Sequence, residues 1–391
     1  MVNWFNNLFK ESTTWQIINS LRASCSNVTI FIQMNPGVAT LIKKRLCRFV
    51  NSIQIIQGNM IKFLQTLLLF SIMQSALCQD SSQNTSSLYI LNADRLYDNV
   101  DDPGAVDDDF SASGALGWDK QKYEKRCDDI AGIIAAGSSG ELPSIIVLSG
   151  IEKKSIAIDI LSSRKLRKAN YTVLADSFYP GSGIIMASDD GKASLLEKRT
   201  IIPDLDPSLQ DISVILYCKV KLEDGATYHM FLNEWPGRQA GSLNPGQMRM
   251  ACAAALRKEV DLILNFERNA RIIIMGTFFD EPTDGSIMNI LNATSKRKNI
   301  SERDLYNLYF DMHNNEDRGT VTVNGIWQMS DFIIVSPSLL SEGPYFSTSF
   351  EGGMIGEPSP SFGPAYRGSE YTGGSGAHLP VFLDLSLNGV K

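Results

Sequence analysis

The chain is poor in cysteine, with six in 391 residues. Only Cys127, Cys218 and Cys252 lie beyond residue 78, and none of these three belongs to a CxxC pair. Zinc sites and disulfide frameworks need paired or closely spaced cysteines, so the sequence indicates neither. Because Cys218 lies in a strand-like run and Cys252 on the apolar face of a predicted helix, we expect both to be buried free thiols.

Beyond residue 78 the chain also has fewer basic than acidic residues. Of its 36 Lys and Arg and its 43 Asp and Glu residues, seven and one lie in the first 78, so residues 79–391 carry a net charge of −13. Such a surface repels the phosphate backbone of a nucleic acid unless the fold gathers a basic patch. Nucleic acid is therefore not an expected partner.

The sequence has no long apolar run. The run from Phe63 to Met73 is shorter than the roughly 20 residues that a membrane-spanning helix needs, so we predict no stable membrane span. It follows a short basic start at Met60 and precedes small residues up to Cys78, which is the form of a secretory signal peptide. We therefore predict a signal peptide at 60–78, a mature domain at 79–391, and a secreted or periplasmic protein.

Residues 1–59 do not fit this pattern, because a signal peptide so far into a chain would not normally function. Our hypothesis is that Met60 is the true start and that residues 1–59 are a spurious or dispensable extension. In the alternative, Met1 is the true start and the apolar run is a buried helix or a weak anchor. Cys78 also allows lipid anchoring, although Leu77 before it fits a lipobox poorly.

Apolar periodicity predicts one continuous domain from Ser87 onward. The i, i+3/i+4 pattern predicts a helix over Trp118–Ala136, and Asn244 followed by Pro245 is typical of the start of a second, long helix. Asp224-Gly225 predicts a hairpin between two strands. The predicted strands are Leu88–Leu91, Ser144–Leu148, Tyr171–Ala175, Ile184–Ala187, Val214–Val220, Tyr228–Leu232, Arg271–Met275, Phe332–Val335 and Val381–Leu385. This mixture favours a layered α/β (α+β) protein with mostly antiparallel pairing.

Two segments lack periodicity. Asp98–Asp109 is a turn-rich loop with six aspartates, and Ser341–Ala377 is rich in Gly, Pro and aromatic residues. Loops of the second length are uncommon in compact domains and are often functional. Our interpretation is that its aromatic side chains pin it to the domain, and the alternative is a lid that grips a ligand. These side chains are Tyr345, Phe346, Phe350, Tyr366 and Tyr371.

Three short motifs are the most specific features of the sequence. They are NEWPGR (Asn233 to Arg238), MGTFFDEP (Met275 to Pro282) and GGSGAHLPVFLDL (Gly373 to Leu385). They closely resemble the NHWPSR, GDFND and SDHLPV signatures of the endonuclease/exonuclease/phosphatase superfamily, the deoxyribonuclease-I-like hydrolases. The resemblance extends from about Leu91 to Leu385 and implies a four-layer α/β/β/α sandwich of two mainly antiparallel sheets flanked by helices.

In that superfamily, carboxylates hold a divalent cation, usually Mg²⁺, an aspartate activates water, and histidines and asparagines bind the phosphoryl group. This chain departs from the pattern at most of these places. Ser182 replaces a phosphate-binding arginine. Gly150 replaces the metal-binding glutamate, Glu234 a histidine, Thr277 the water-activating aspartate, Phe279 an asparagine and Ala377 an aspartate. A carboxylate at position 234 repels phosphate, and a threonine hydroxyl group is not a base at neutral pH.

Other positions of the pattern are retained. They are Asn92, Asn233, Arg238, Asp280, Asp331 and His378. We interpret Asp280 as a turn former, and Glu152 as a second glutamate on the surface. With Ala377 beside it, we expect His378 to lack the carboxylate that fixes its tautomer. His229 and His313 have no motif around them and are interpreted as ordinary strand and loop residues.

The substitutions together favour a catalytically degenerate member, a pseudoenzyme that binds a ligand or serves as a scaffold. Glu234, Phe279 and the aromatic segment suit a neutral or cationic ligand, such as a glycan or a peptide, and no cofactor is expected. The alternative is a divalent-metal-dependent phosphodiesterase, phosphatase or nuclease with relocated groups. Those groups would be Glu152, Glu234, Asp280, Asp331 and His378, with Asn92, Glu152 and Asp331 as candidate ligands of Mg²⁺ or another divalent cation.

Overall fold

Strand β1 (Thr85–Leu96) shows how the layers of the fold meet. Leu88 and Ile90 belong to the larger of two buried apolar clusters, whereas Tyr89 and Leu91 belong to the other. Since successive side chains of a strand point to opposite faces, β1 is covered on both sides. It is therefore an interior strand of a layered protein.

The computed structural model describes residues 85–386, except for 104–106, 137–140, 180, 205–213, 239–243, 297–299, 317–318, 342–345 and 348–362. These residues belong to one compact unit, Ser82–Lys391. The predictions for residues 1–59, for the signal peptide at 60–78 and for Cys78 lie outside the described part of the chain.

The first sheet has six strands. They are β1 (Thr85–Leu96), β2 (Ile145–Ile151), β3 (Tyr171–Tyr179), β4 (Ser182–Asp189), β14 (Phe346–Ser347) and β17 (Val381–Ser386). Their spatial order is β14, β17, β1, β2, β4, β3. The β1–β2 pair is parallel, and the other pairs are antiparallel.

The second sheet has seven strands. They are β5 (Ala193–Ile201), β6 (Val214–Leu222), β7 (Thr227–Glu234), β8 (Ile272–Thr277), β9 (Ala293–Thr294), β10 (Leu305–Asn307) and β13 (Asp331–Val335). Their spatial order is β5, β6, β7, β8, β13, β10, β9. The β7–β8 and β9–β10 pairs are parallel and the rest antiparallel. The predicted hairpin is β6–β7, closed by a turn in which Gly225 N donates to Leu222 O.

Helices complete the four layers. Ile130 and Ile134 of α1 (Lys120–Ala136) pack with residues of the first sheet, as does α2 (Lys154–Leu161). Helix α3 (Pro245–Phe266) adds its apolar face to the larger cluster, and its N-terminus is capped by Asn244, whose side chain accepts from Gln247 N, as predicted. The predicted mainly antiparallel α/β/β/α sandwich is confirmed.

Short elements fill the connections. They are a 3₁₀ turn (Arg164–Leu166), a π turn (Ser286–Ile290), α4 (Phe310–Glu316), α5 (Pro337–Ser341), the β11 (Val321–Val323) and β12 (Ile326–Gln328) hairpin, and the β15 (Tyr366–Arg367) and β16 (Glu370–Tyr371) hairpin. His313 lies in α4 and not in a loop. Cys127, Cys218 and Cys252 are buried free thiols, which confirms the prediction for the last two. None of the helices in the described ranges is both long and apolar enough to cross a membrane.

The described part of the aromatic segment is pinned to the domain. Tyr366 and Tyr371 lie edge-on to Trp118, with ring centroids 5.9 and 6.4 Å from it. The Tyr366 hydroxyl group donates to Leu116 O at 3.0 Å. These contacts agree with the interpretation that aromatic side chains hold this segment in place. Tyr345 and Phe350 lie outside the described residues.

Candidate functional site

The candidate site lies where five strands of the two sheets end. In the second sheet, Thr277 of β8 is paired with Glu234 of β7 on one side and with Asp331 of β13 on the other. In the first sheet, Asn92 of β1 pairs with the residue next to Gly150 on β2. The register therefore sets three positions of the second sheet side by side.

Four of the predicted residues form one buried chain of hydrogen bonds. Asn92 Nδ2 donates to Thr277 Oγ1 at 3.0 Å, and this hydroxyl group donates to Asp331 Oδ1 at 2.6 Å. Asp331 Oδ2 lies 2.7 Å from His378 Nδ1. Thr277 is fully buried, and the other three are at most 6% exposed. These side-chain hydrogen bonds link the first sheet to the second.

The expectation that His378 lacks a carboxylate partner is wrong. Asp331, brought from a different strand, holds Nδ1 of the imidazole, and Ala377 is not needed for that contact. Burial opposes a charge on His378, but the carboxylates of Asp331, Asp94 and Glu234 outweigh it, so the pKa of His378 is raised above its ordinary value. Proximity in sequence suggested the wrong partner because the real one is 47 residues away.

Glu234 is held by two other positions that depart from the family's pattern. Its Oε2 accepts a hydrogen bond from Ser182 Oγ at 2.8 Å and one from the backbone N–H of Gly150 at 3.2 Å. Burial raises the pKa of Glu234, although these donors, Tyr179 and the nearby His378 oppose that shift. The carboxylate is thus directed into the protein, toward groups that satisfy it.

Gly150 shows most directly what the site can hold. Its φ is +66°, a conformation that side-chain-bearing residues rarely adopt, and a Cβ there would lie 2.4 Å from Asn92 Oδ1. That oxygen is itself occupied, since it accepts from Asp94 N at 2.8 Å. The residues present therefore do not fit a divalent cation at the place of the metal-binding glutamate.

Sequence reasoning missed a strained corner beside Asn92. Asp94 and Arg95 both have positive φ, at 54° and 56°. Consecutive residues in this region are costly and persist only where neighbours fix them. Buried Arg126 does so, because its Nη2 donates to Ala93 O and Asp94 O, and Asp94 Oδ2 accepts from Ala377 N at 3.2 Å. The motif alignment gave no sign of this.

Phe279 and Arg238 line the same region. The Phe279 ring is edge-on to His378, with ring centroids 5.8 Å apart, and its φ is +53°. Arg238 Nε donates to Phe279 O at 2.9 Å. An apolar ring therefore covers the one imidazole of the site, where the family's pattern has an amide.

Asp280 and Asn233 make structural contacts. Asp280 Oδ1 accepts from Arg249 Nε and its Oδ2 from Ser286 Oγ, both at 2.6 Å, in agreement with a turn-forming role. Asn233 Nδ2 donates to Met275 O at 3.3 Å, which joins β7 to β8. Neither side chain is free to act on a ligand through these atoms.

Glu152 is not on the surface, as the sequence suggested, because its side chain is only 8% exposed. Strand β2 ends at Ile151, and Gly150 has a positive φ, so Glu152 lies just beyond the regular strand. Its Oε2 accepts from Asp98 N at 3.1 Å. Burial raises the pKa of Glu152 to about 7, with Asp98 and Asp107 adding to the shift and the Asp98 N–H and Lys153 opposing it.

The match to a protein family covers most of the chain. Residues 87–387 match the model of the endonuclease/exonuclease/phosphatase family, which covers well over half of the chain. This chain belongs to that family. Its members commonly use divalent metal ions. No curated protein matches the sequence at a significant level.

Solved structures of several family proteins are similar to the chain. Truncated Caenorhabditis elegans TDP2 is 10% identical over 78% of this chain and 98% of its own, with a TM-score of 0.47. The human Nocturnin catalytic domain with bound sulfate is 15% identical over 77% and 94%, with a TM-score of 0.48. An endonuclease/exonuclease/phosphatase family protein from Bacteroides thetaiotaomicron is 16% identical over 77% and 95%, with a TM-score of 0.45.

Proposed function

We propose that this endonuclease/exonuclease/phosphatase family member is a secreted binding or scaffold protein without the hydrolytic chemistry of its family. The observation that carries the proposal is the position of Asn92 Oδ1, 2.4 Å from where a Cβ of residue 150 would be. The space of the metal-binding glutamate is taken by a neighbour that is itself hydrogen-bonded.

The second support is the state of the Thr277 hydroxyl group. It accepts a hydrogen bond from Asn92, donates one to Asp331, and is fully buried. A general base must reach the proton it removes and must titrate near the working pH. Thr277 meets neither condition, so no residue at this position activates water.

The third support is that the substituted positions satisfy one another. Glu234 accepts hydrogen bonds from Gly150 and Ser182, which are both departures from the family's pattern, besides its interaction with Tyr179. Groups that act as a unit in catalysis lose their function as a unit. Substituted residues that hydrogen-bond to one another support a structural role for this site in place of a catalytic one.

The chemistry of the site indicates the class of ligand. Asp94, Glu234 and Asp331 oppose a polyanion, and the ring of Phe279 offers an apolar contact beside His378. A neutral or cationic ligand, such as a glycan or a peptide, fits these groups better than a phosphate does. Binding of immobilised glycans or cationic peptides that Phe279→Ala abolishes, and that exposed Leu196→Ala leaves unchanged, would support this class.

Turnover tests the loss of chemistry. The purified full chain is incubated with a generic phosphodiester and a phosphomonoester in Mg²⁺, Mn²⁺ or Ca²⁺. We expect no hydrolysis above the buffer rate with any ion. Hydrolysis that Glu152→Ala abolishes would overturn the proposal in favour of a phosphoesterase with relocated groups, the candidate that the retained Asp331–His378 pair keeps open.

A further inference from the structure

The loop that follows β1 gathers carboxylates around Glu152. One carboxylate oxygen from each of Asp102, Asp107 and Glu152 lies within 4.8 Å of the other two. Asp98 joins them, because its backbone N–H donates to Glu152 Oε2 and its side chain lies 2.8 Å from Lys153 Nζ. The cluster thus draws on both the loop and the end of β2.

Asp107 distinguishes this cluster from an ordinary acidic surface. The residue is only 1% exposed, and its Oδ2 accepts from Asp102 N at 3.1 Å, which directs the carboxylate into the cluster. Its Oδ1 is buried and has no hydrogen-bond partner among the residues that the structure describes. A buried carboxylate oxygen without a donor is unfavourable by itself, and a bound cation would satisfy it.

The charges of the cluster do not balance. Lys153 Nζ lies 2.5 Å from Asp102, 2.8 Å from Asp98 and 3.7 Å from Glu152. One ammonium group contacts three of the four carboxylates, and its side chain is 29% exposed, so it can leave toward solvent. Lys153 therefore occupies part of the space that a more highly charged cation would take.

We propose that Asp102, Asp107 and Glu152 form a calcium-binding site that fastens this loop to the end of β2. Calcium takes oxygen ligands at about 2.3–2.6 Å, so two oxygens that share the ion can lie up to about 5 Å apart. The spacing within the cluster agrees with that reach. Magnesium, with distances of about 2.0–2.1 Å and strict octahedral geometry, fits a loop-built site less well.

The Glu152 carboxylate belongs to this loop cluster, since its Oε2 accepts from Asp98 N, and it takes no part in the hydrogen bonds that join Asn92, Thr277, Asp331 and His378. The stacking of Tyr97 on Phe110, with ring centroids 4.1 Å apart, closes the base of the loop that the ion would stabilise. The role is structural. Calcium binding without phosphoester hydrolysis is the expected combination, so this proposal and the loss of chemistry fail independently.

Calorimetric titration of the full chain with CaCl₂ tests the site. We expect one ion per chain for the wild type, with weaker binding of Mg²⁺. Asp107→Asn should weaken calcium binding by about tenfold or more, because it removes a ligand charge while its amide oxygen can still accept from Asp102 N. The matched control is Glu124→Gln, an equal charge change at an exposed position of α1.

A second variant gives a result of opposite sign. Lys153→Met removes the competing ammonium group and should tighten calcium binding by about threefold or more. Because this variant should bind calcium more tightly, the test does not depend on Asp107→Asn folding correctly. An absence of binding up to about 1 mM calcium, binding equal in Asp107→Asn and Glu124→Gln, or no tightening in Lys153→Met would overturn the proposal.

Discussion

The hydroxyl group of Thr277 donates a hydrogen bond to Asp331 Oδ1 at 2.6 Å inside the interface between the two sheets. The hydroxyl oxygen of Thr277 also accepts a hydrogen bond from the amide group of Asn92, so Thr277 connects strands of both sheets. The position that should hold the water-activating aspartate thus holds the layers together.

Replacement of Thr277 with Val should therefore lower the stability of the fold. Valine fills the same volume but leaves the Asn92 amide and one Asp331 oxygen without a partner in a buried place. We expect the free energy of unfolding to fall by about 1–3 kcal/mol. Urea denaturation measures it, with Thr277→Ser, which keeps the hydroxyl group, as the control. Equal stability of the Val and Ser variants would contradict the role given to this hydrogen bond.

The crowding at Gly150 gives a second test. Gly150→Ala should destabilise the fold for two reasons, the positive φ and the approach to Asn92 Oδ1. Gly191→Ala has only the first effect, because its φ is +77° and no atom of the described residues lies within 4 Å of its Cβ position. We expect Gly191→Ala to lower the free energy of unfolding by about 1–2 kcal/mol. Gly150→Ala should lower it by about 1 kcal/mol or more beyond that.

Chemical denaturation of both variants gives the comparison. In an Asn92→Ala background, Gly150→Ala should cost less stability than in the wild type, because the atom that is approached is gone. If the two single variants are equally stable, the space at residue 150 is open. The argument against a metal-binding glutamate would then lose its basis.

Much of the fold could be predicted from the sequence because buried strands and long helices carry their own patterns. The predicted helix of Trp118–Ala136 begins two residues later, at Lys120, and the hairpin and the cap at Asn244 are present. Strand β5 escaped notice because it lies at a sheet edge and is mostly exposed. Only Ala193, Leu195 and Ile201 contact the core, so the strand has little apolar alternation to recognise.

The site was predictable only in part. The motifs gave the positions of Asn92, Thr277, Asp331 and His378, but not the hydrogen bonds among them, since these depend on the register of strands far apart in sequence. Glu152 was predicted to lie on the surface because nothing in the sequence shows that Asp98 and Lys153 lie against its carboxylate. Six aspartates marked the loop at Asp98–Asp109, but only the structure shows that Asp107 turns inward.

Secretion is a separate prediction. If the signal peptide at 60–78 is cleaved, N-terminal sequencing of the protein from the culture medium should begin near Gln79. A shorter chain that starts at Met60 should be secreted, because the predicted signal at 60–78 lies wholly within it. Leu68→Arg should abolish its secretion by placing a charge in the apolar run. Recovery of peptides that contain Trp4 or Trp15 from the secreted protein would contradict cleavage.

The pairing of Asp331 with His378 predicts the order in which the histidines titrate. The chain has three histidines, so NMR can follow each one. Burial lowers the pKa of His229 despite Glu267, whereas the surrounding carboxylates raise the pKa of His378 above 6.5 despite burial. His378 should therefore lose its proton at higher pH than His229. Asp331→Asn should lower the pKa of His378, and an unchanged value would show that this carboxylate does not control it.

The same shift makes stability depend on pH in a defined direction. A histidine whose pKa is higher in the folded than in the unfolded state binds its proton more tightly when folded. Its contribution is complete below the unfolded value of about 6.5 and is lost as the pH rises through the folded pKa. The stability difference between the wild type and His378→Gln should therefore shrink with rising pH above about 6.5. His313→Gln, at a half-buried position of α4, is the control, and a difference that grows with pH would reverse the assignment.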